Sequence, residues 1–279
     1  MPRKRQKSQP SRIERTHENV AGDQQPIVEN TGKTEAVAAT PAAEENLNIQ
    51  KSNVTAYDRH PTIFSTVSLM LKAMEHPRIL SFGCSTGEEP LTLAEKYFPT
   101  ARVVGVDVSE PALAKAMELT AKEPRISIRR STRETLTREG PFDAIFAMSV
   151  LCRWPAALGR DDISDLYPFA RFCENVDLLD RVLKPGGLLV IYNANYEFLH
   201  TPCAIGYDLI ATRGARQAGH IDRFRPDGKS AGPSAIVNNA NACVYRKHLP
   251  GDAPTLGLRI LDTNLARIAE IPRGIPFMT

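Results

Sequence analysis

No apolar run in this 279-residue chain approaches the roughly 18 residues that cross a bilayer. The N-terminus is basic and lacks the apolar stretch of a secretory signal, so the cytoplasm is the expected compartment. Five cysteines (Cys84, Cys152, Cys173, Cys203, Cys243) are an odd number with no CxxC pair. That excludes a disulfide framework and a cysteine-rich zinc site. The six histidines show no HxxxH spacing, and no metal is expected. The spacing of Gly83 and Gly87 is GxxxG, not a GxGxxG fingerprint, and no GK[ST] follows it to make a phosphate loop. Large aromatics are absent from residues 1–50, where Gln, Glu, Lys, Thr and Pro dominate.

A segment of that composition buries too little apolar surface to offset its ordering entropy, and residues 1–50 are read as a disordered tail. Residues 51–279 then form one domain. The basic excess lies in residues 1–15, where Arg3, Lys4, Arg5, Lys7, Arg12 and Arg15 face Glu14 alone for a net +5, and residues 16–279 carry −2. The body is nearly neutral and shows no basic stripe with interleaved aromatics, so nucleic acid is not an expected partner.

What is present is a βαβ rhythm. Residues 78–82, 102–106, 126–129, 142–146 and 188–192 read as strands, and several are near-continuous apolar runs of the kind parallel strands need when both faces are covered. Helices are expected over 90–98, 111–119 with Ser109 as N-cap, and 169–183, the last stopped by Lys184-Pro-Gly-Gly187. The fold class is α/β: a doubly wound, mostly parallel sheet. Residues 242–246 and 258–261 are expected as late strands, paired antiparallel at an edge.

The first strand runs through Gly83-Cys-Ser-Thr-Gly87 into a helix beginning Glu88-Glu89-Pro90. Ligands of open α/β sheets bind at the carboxyl ends of strands, near the point where strand order reverses. Gly83 and Gly87 let the backbone approach a ligand there. Two carboxylates would repel a pyrophosphate and suit a cationic amine instead. Asp107, ending the second strand, can take two ribose hydroxyls. An adenosine-containing ligand with a positive, amine-bearing tail satisfies both sites, and S-adenosylmethionine is such a ligand. Ser131-Thr132 and Met148-Ser149 end strands three and four at the same sheet edge.

These residues carry a resemblance. Over roughly residues 53–192 the chain resembles the class I S-adenosylmethionine-dependent methyltransferases, whose fold is a Rossmann-like sheet of the seven-stranded type. Gly83-Cys-Ser-Thr-Gly-Glu-Glu-Pro90 and Asn53-Val-Thr-Ala-Tyr-Asp-Arg59 are similar to segments of the chemotaxis-receptor glutamate (CheR-type) enzymes. Phe142–Leu151 and Leu183-Lys-Pro-Gly-Gly187 match later strands. The resemblance implies cofactor contacts from Asn53, Thr55, Arg59, Glu89, Asp107, Ser131, Thr132, Met148 and Ser149. Gly83, Cys84, Ser85, Gly87 and Val108 complete the cofactor set. The chain departs from the family at Asp58, which replaces the second aromatic, and at Ser149, which replaces an Asn. Near Cys152-Arg153-Trp154 an expected Tyr is missing. Only fifty residues precede the matched part, so no room is expected for the family's N-terminal helical domain. The cofactor inference survives these departures; a receptor-glutamate substrate does not.

Arg59 and Tyr57 are the catalytic candidates, Arg59 as a clamp for a carboxylate and Tyr57 as an assisting base. Trp154, Asn195 and Tyr196 are substrate candidates, and His200 and His220 are weaker candidates for bases. The expected activity is methyl transfer to a small-molecule or protein acceptor, with a carboxylate as the simplest acceptor because it needs no base. The alternative is a non-catalytic S-adenosylmethionine-binding module acting through a partner.

Overall fold

The computed structural model describes residue 50 and residues 52–212, 221–232, 242–252, 257–261 and 268–270. Residues 1–49 of the expected tail, His220 and residues 271–279 lie outside the described residues, whereas Gln50 is described.

The described strands form one nine-stranded sheet: β1 (Arg78–Phe82), β2 (Arg102–Asp107), β3 (Ile126–Arg130), β4 (Phe142–Met148), β5 (Leu183–Tyr192), β6 (Tyr207–Thr212), β7 (Ala242–Lys247), β8 (Gly257–Leu261) and β9 (Ile268–Glu270). Their order is β3-β2-β1-β4-β5-β7-β6-β8-β9. The first five pair in parallel, and β7 runs antiparallel between β5 and β6. The doubly wound, mostly parallel sheet expected from the sequence is therefore present, with two strands appended. The expected edge pair is corrected: β7 is internal, while β8 joins β6 in parallel and β9 joins β8.

Helices α1 (Pro61–Met70), α2 (Glu88–Thr92), α3 (Glu110–Thr120), α4 (Arg133–Glu139) and α5 (Phe169–Arg181) cover the sheet, and a π turn over Leu93–Tyr97 prolongs α2. Adjacent residues of each central strand enter opposite cores, because side chains alternate across a strand. Leu80, Val104, Ile145 and Leu189 pack with Phe172, Val176 and Leu179 of α5. Ile79, Val103, Ala144 and Leu188 pack with Ile63, Phe64 and Val67 of α1 and with Leu93. Phe64 meets Phe146 edge-on, ring centroids 5.5 Å apart.

Lys184-Pro-Gly-Gly187 does not follow the helix as its stop. α5 ends at Arg181, and the tetrapeptide bulges out of β5, so that Phe142 pairs with Leu183 but Ala144 with Leu188. Asp143 closes the bulge. Its carboxylate, 3% exposed, takes Lys184 Nζ at 2.8 Å and the backbone N–H of Arg78 at 2.7 Å. Truncation strands both donors, so Asp143→Ala is expected to cost about 2–4 kcal/mol in urea unfolding.

Candidate functional site

Strand order reverses between β2-β1 and β4-β5, and the carboxyl ends of β1 and β4 open there into a cavity. Its floor is Phe82, Gly83, Cys84 and Ser85 after β1, with Asp107 and Val108 after β2, Ser131 after β3, and Met148, Ser149 and Val150 after β4. Asn193 after β5, Trp154 and Ile221 add to the wall. The opposite side is the segment Ser52–Ala56 with Gln50, Arg59, His60 and Phe64.

The turn is built by hydrogen bonds that leave the backbone little choice. The amides of Gly83 and Cys84 both donate to the Val106 carbonyl, at 2.8 and 2.9 Å. Gly83 has φ +81, and a Cβ on it would stand 2.5 Å from Val150 Cγ2. Gly83→Ala combines a left-handed backbone with that overlap, so we expect about 2–4 kcal/mol of lost stability by thermal or urea unfolding. Ser85, Ser149 and Asn193 also stand at positive φ, near +51, +57 and +55. All three line the cavity, and strained backbone of this kind gathers at ligand sites.

Asp107 is buried and braces the turn. Its Oδ2 accepts from the Ser85 amide at 2.8 Å and its Oδ1 from the Ser109 amide at 2.9 Å. Glu89, in the first turn of α2, accepts from Ser81 Oγ at 2.7 Å. Burial pushes its carboxyl up to about 7, against the weaker opposing pull of the Ser81 hydroxyl and the Arg59 charge. Glu88 turns away, its carboxylate taking the Thr86 hydroxyl at 2.7 Å. Only one of the two acids read from the sequence therefore faces the cavity.

The segment before α1 is clasped over the opening. Ser85 Oγ donates to the Asn53 carbonyl at 3.1 Å, and Arg59 Nη1 donates to the Val54 carbonyl at 2.7 Å. Asp58, in place of an aromatic, hooks the π turn through the Tyr97 hydroxyl at 2.6 Å and an ion pair with Lys96. His60 caps the approach to α1 and lies against Tyr192, ring centroids 4.7 Å apart. Burial, with the neighbouring Arg59 charge, lowers its pKa to about 4.

Of the residues named from the sequence, Asn53, Thr55, Arg59, Gly83, Cys84, Ser85, Glu89, Asp107, Val108, Ser131, Met148, Ser149 and Trp154 are brought together on this cavity. Five are not. Gly87 is the left-handed residue before α2, packed on Ala116, and Thr132 spends its hydroxyl capping α4 by accepting from the Thr135 amide at 3.0 Å. Tyr57 is half exposed, its hydroxyl directed to Glu95 at 3.4 Å. Asn195 and Tyr196 are buried and internally bonded: Asn195 to the Arg153 amide and the Asp222 carbonyl, Tyr196 to the Tyr167 carbonyl. His200 is exposed and outside the lining. His60, Phe64 and Ile221 are lining residues that the sequence reasoning missed. For His60 a signal was available, since it precedes Pro61, which opens a helix with apolar residues at 63, 64 and 67.

Two buried polar atoms of the lining have no partner: Ser131 Oγ and Asn193 Oδ1. Buried groups in that state are rare, and both of these residues line the cavity. Among the described residues no cluster of metal-ligating side chains occurs, and no helix is long and apolar enough to cross a membrane.

Residues 79–163 match the family model described as "Methyltransferase domain". Over 117 residues the chain is 33% identical to the "Putative methyltransferase YqeM" of Bacillus subtilis (strain 168), a match covering 42% of this chain and 42% of that protein. Less than half of that relative's length is thus spanned. Among solved structures, the O-methyltransferase from Bacillus cereus in complex with SAH is 20% identical with a TM-score of 0.34, covering 50% of this chain and 59% of that one. The N-methyltransferase NodS from Bradyrhizobium japonicum WM9 is 24% identical with a TM-score of 0.35, covering 48% and 62%. Likenesses at that level add nothing to what the strand order establishes. The matched domain and the strand order support a class I S-adenosylmethionine-dependent methyltransferase, with S-adenosylmethionine the cofactor they indicate.

Proposed function

We propose that this protein transfers a methyl group from S-adenosylmethionine to an acceptor carboxylate, on a small molecule or a protein. The observation that carries the cofactor's placement is the pairing, in one cavity at the switch point, of a desolvated carboxylate (Glu89) with two buried polar atoms lacking partners (Ser131 Oγ and Asn193 Oδ1). The residues fit the group. Glu89 meets a cationic amine in a dry setting where the attraction is strong. Asp107 stands at the end of β2, where ribose hydroxyls are taken. Ser131 and Asn193 offer open hydrogen-bonding valences. Asn53, Thr55, Cys84, Ser85, Val108, Met148 and Ser149 supply the walls, and Arg59 takes a carboxylate.

Bound there, S-adenosylmethionine supplies a methyl group already activated on a sulfonium. The chain's task is to hold the acceptor oxygen in line and exclude water. The cavity offers no strong base: His60 stays neutral to about pH 4, and Glu89 is committed to Ser81 and the amine. A carboxylate needs none, which supports that acceptor over an amine or alcohol.

The test uses S-adenosylmethionine labelled in the methyl group, mixed with protein and cell extract. A carboxyl methyl ester releases its label as methanol in alkali. Base-stable label would refute the carboxylate, and no transfer despite cofactor binding would favour the non-catalytic binding module.

A further inference from the structure

Beside the cavity, the loops at 151–154 and 221–224 place two arginines against the Tyr167–Tyr196 pair, whose ring centroids stand 5.6 Å apart. Arg153 and Arg223 form no ion pair among the described residues. Arg223 gives one N–H to the Tyr196 carbonyl at 3.3 Å, and Glu197 acts on its charge only at longer range. Arg153 lies over the Tyr167 ring, 5.8 Å from the centroid, and its Nε is buried with no acceptor. The Tyr167 hydroxyl is likewise buried and unpartnered. Both arginines act on Cys152, each opposing the burial that raises its thiol to about 11.

Asn195 and Tyr196, expected as substrate contacts, staple these loops instead. Asn195 Oδ1 accepts from the Arg153 amide at 2.7 Å and its Nδ2 donates to the Asp222 carbonyl at 2.8 Å. The neighbours of the two arginines, Trp154 and Ile221, are cavity wall. Desolvating a guanidinium costs several kcal/mol unless an anion meets it. The two buried atoms left open here, Arg153 Nε and the Tyr167 hydroxyl, can both donate, and Arg153 carries positive charge. A carboxylate or phosphate answers that set, since a guanidinium fork binds either in bidentate fashion.

We infer that Arg153 and Arg223, with the Tyr167 hydroxyl, form an oxyanion subsite that grips an acidic group of the methyl acceptor past the Trp154–Ile221 wall. The inference rests on the cavity being a methyltransferase site, and it deepens that reading: the acceptor carries an anionic handle apart from the methylated atom. Asn195 is a positioning residue for the subsite, acting through Arg153.

The experiment follows the thermal midpoint of the full chain, saturated with S-adenosylhomocysteine, against benzoate and against inorganic phosphate at constant ionic strength. At least one anion should raise the midpoint saturably, and the preferred one identifies the acidic group. Arg153→Gln and Arg223→Gln should each weaken that anion at least tenfold while S-adenosylhomocysteine binds within twofold of wild type. Should a Gln variant not fold, Arg153→Lys and Arg223→Lys keep the charge and lose the fork, and at least a threefold loss is expected. Wild-type silence toward both anions, or equal responses in the variants, overturns the subsite while leaving the cofactor cavity standing. Failure of S-adenosylhomocysteine itself to bind overturns the cavity assignment as well.

Discussion

Glu89→Gln is expected to make the free protein more stable above pH 7 and to weaken S-adenosylmethionine binding about 100-fold or more. The stability effect follows from where the proton sits. Folded Glu89 keeps its proton up to about pH 7, whereas a free glutamate releases it near 4.5. Between those values folding takes up a proton, so the contribution of this group falls as pH rises and is fully unfavourable above 7. The cost is on the order of 3 kcal/mol. Gln keeps an oxygen for Ser81 Oγ and carries no charge to desolvate. Urea midpoints should therefore coincide for variant and wild type near pH 4.5 and separate, with the variant higher, by pH 8. A variant less stable at both pH values would contradict the burial of an ionisable carboxyl there. A buried acid that destabilises the empty protein is retained for what it meets in the loaded one.

Asp107→Ala is expected to act in the opposite sense on stability and the same sense on binding. The substitution leaves the amides of Ser85 and Ser109 without their acceptor, a loss of about 1–3 kcal/mol for one buried and one half-buried donor. It also loosens the turn that holds Gly83–Ser85 against the cavity. S-adenosylmethionine affinity should drop about 100-fold or more, as expected when a buried charged acceptor disappears. Asp107→Asn separates the two effects, because one carbonyl oxygen still braces an amide. Its stability should lie between wild type and Ala, with binding as weak as in Ala. Equal affinity in all three proteins would remove Asp107 from the site. Unfolding in urea and titration calorimetry on the same preparations read both quantities.

The parallel half of the fold was legible because its signals are local. β1, β2 and β4 are apolar on both faces, and Ser109 caps α3 as its spacing before Pro111 predicts. What escaped depended on partners distant in sequence. α4 shows little periodicity, with Thr135 and Leu136 its buried residues, and is fixed by the Thr132 cap. β6 contains Asp208, which reads as a break until Arg246 at 2.8 Å and His248 at 3.2 Å supply its partners from the neighbouring strand and the residue after it. The bulge at Lys184–Gly187 reads as a helix stop until Asp143 is seen to hold Lys184.

The site divides the same way. Residues of the strand ends, from Gly83 to Ser149, were placed by the rule that ligands gather at the carboxyl edge. Residues whose role is set by folding back, such as Asn195 between two loops, carry no local mark. Tyr57 illustrates the converse: expected as an assisting base, it directs its hydroxyl to Glu95.

The most direct measurement is calorimetric titration of the full chain with S-adenosylmethionine in two buffers of different ionisation enthalpy at pH 7. One ligand should bind per chain, with net proton release as the amine drives the last proton from Glu89, and that release should vanish in Glu89→Gln. Absence of binding, or binding with proton release unchanged in the variant, would contradict the cavity as built here.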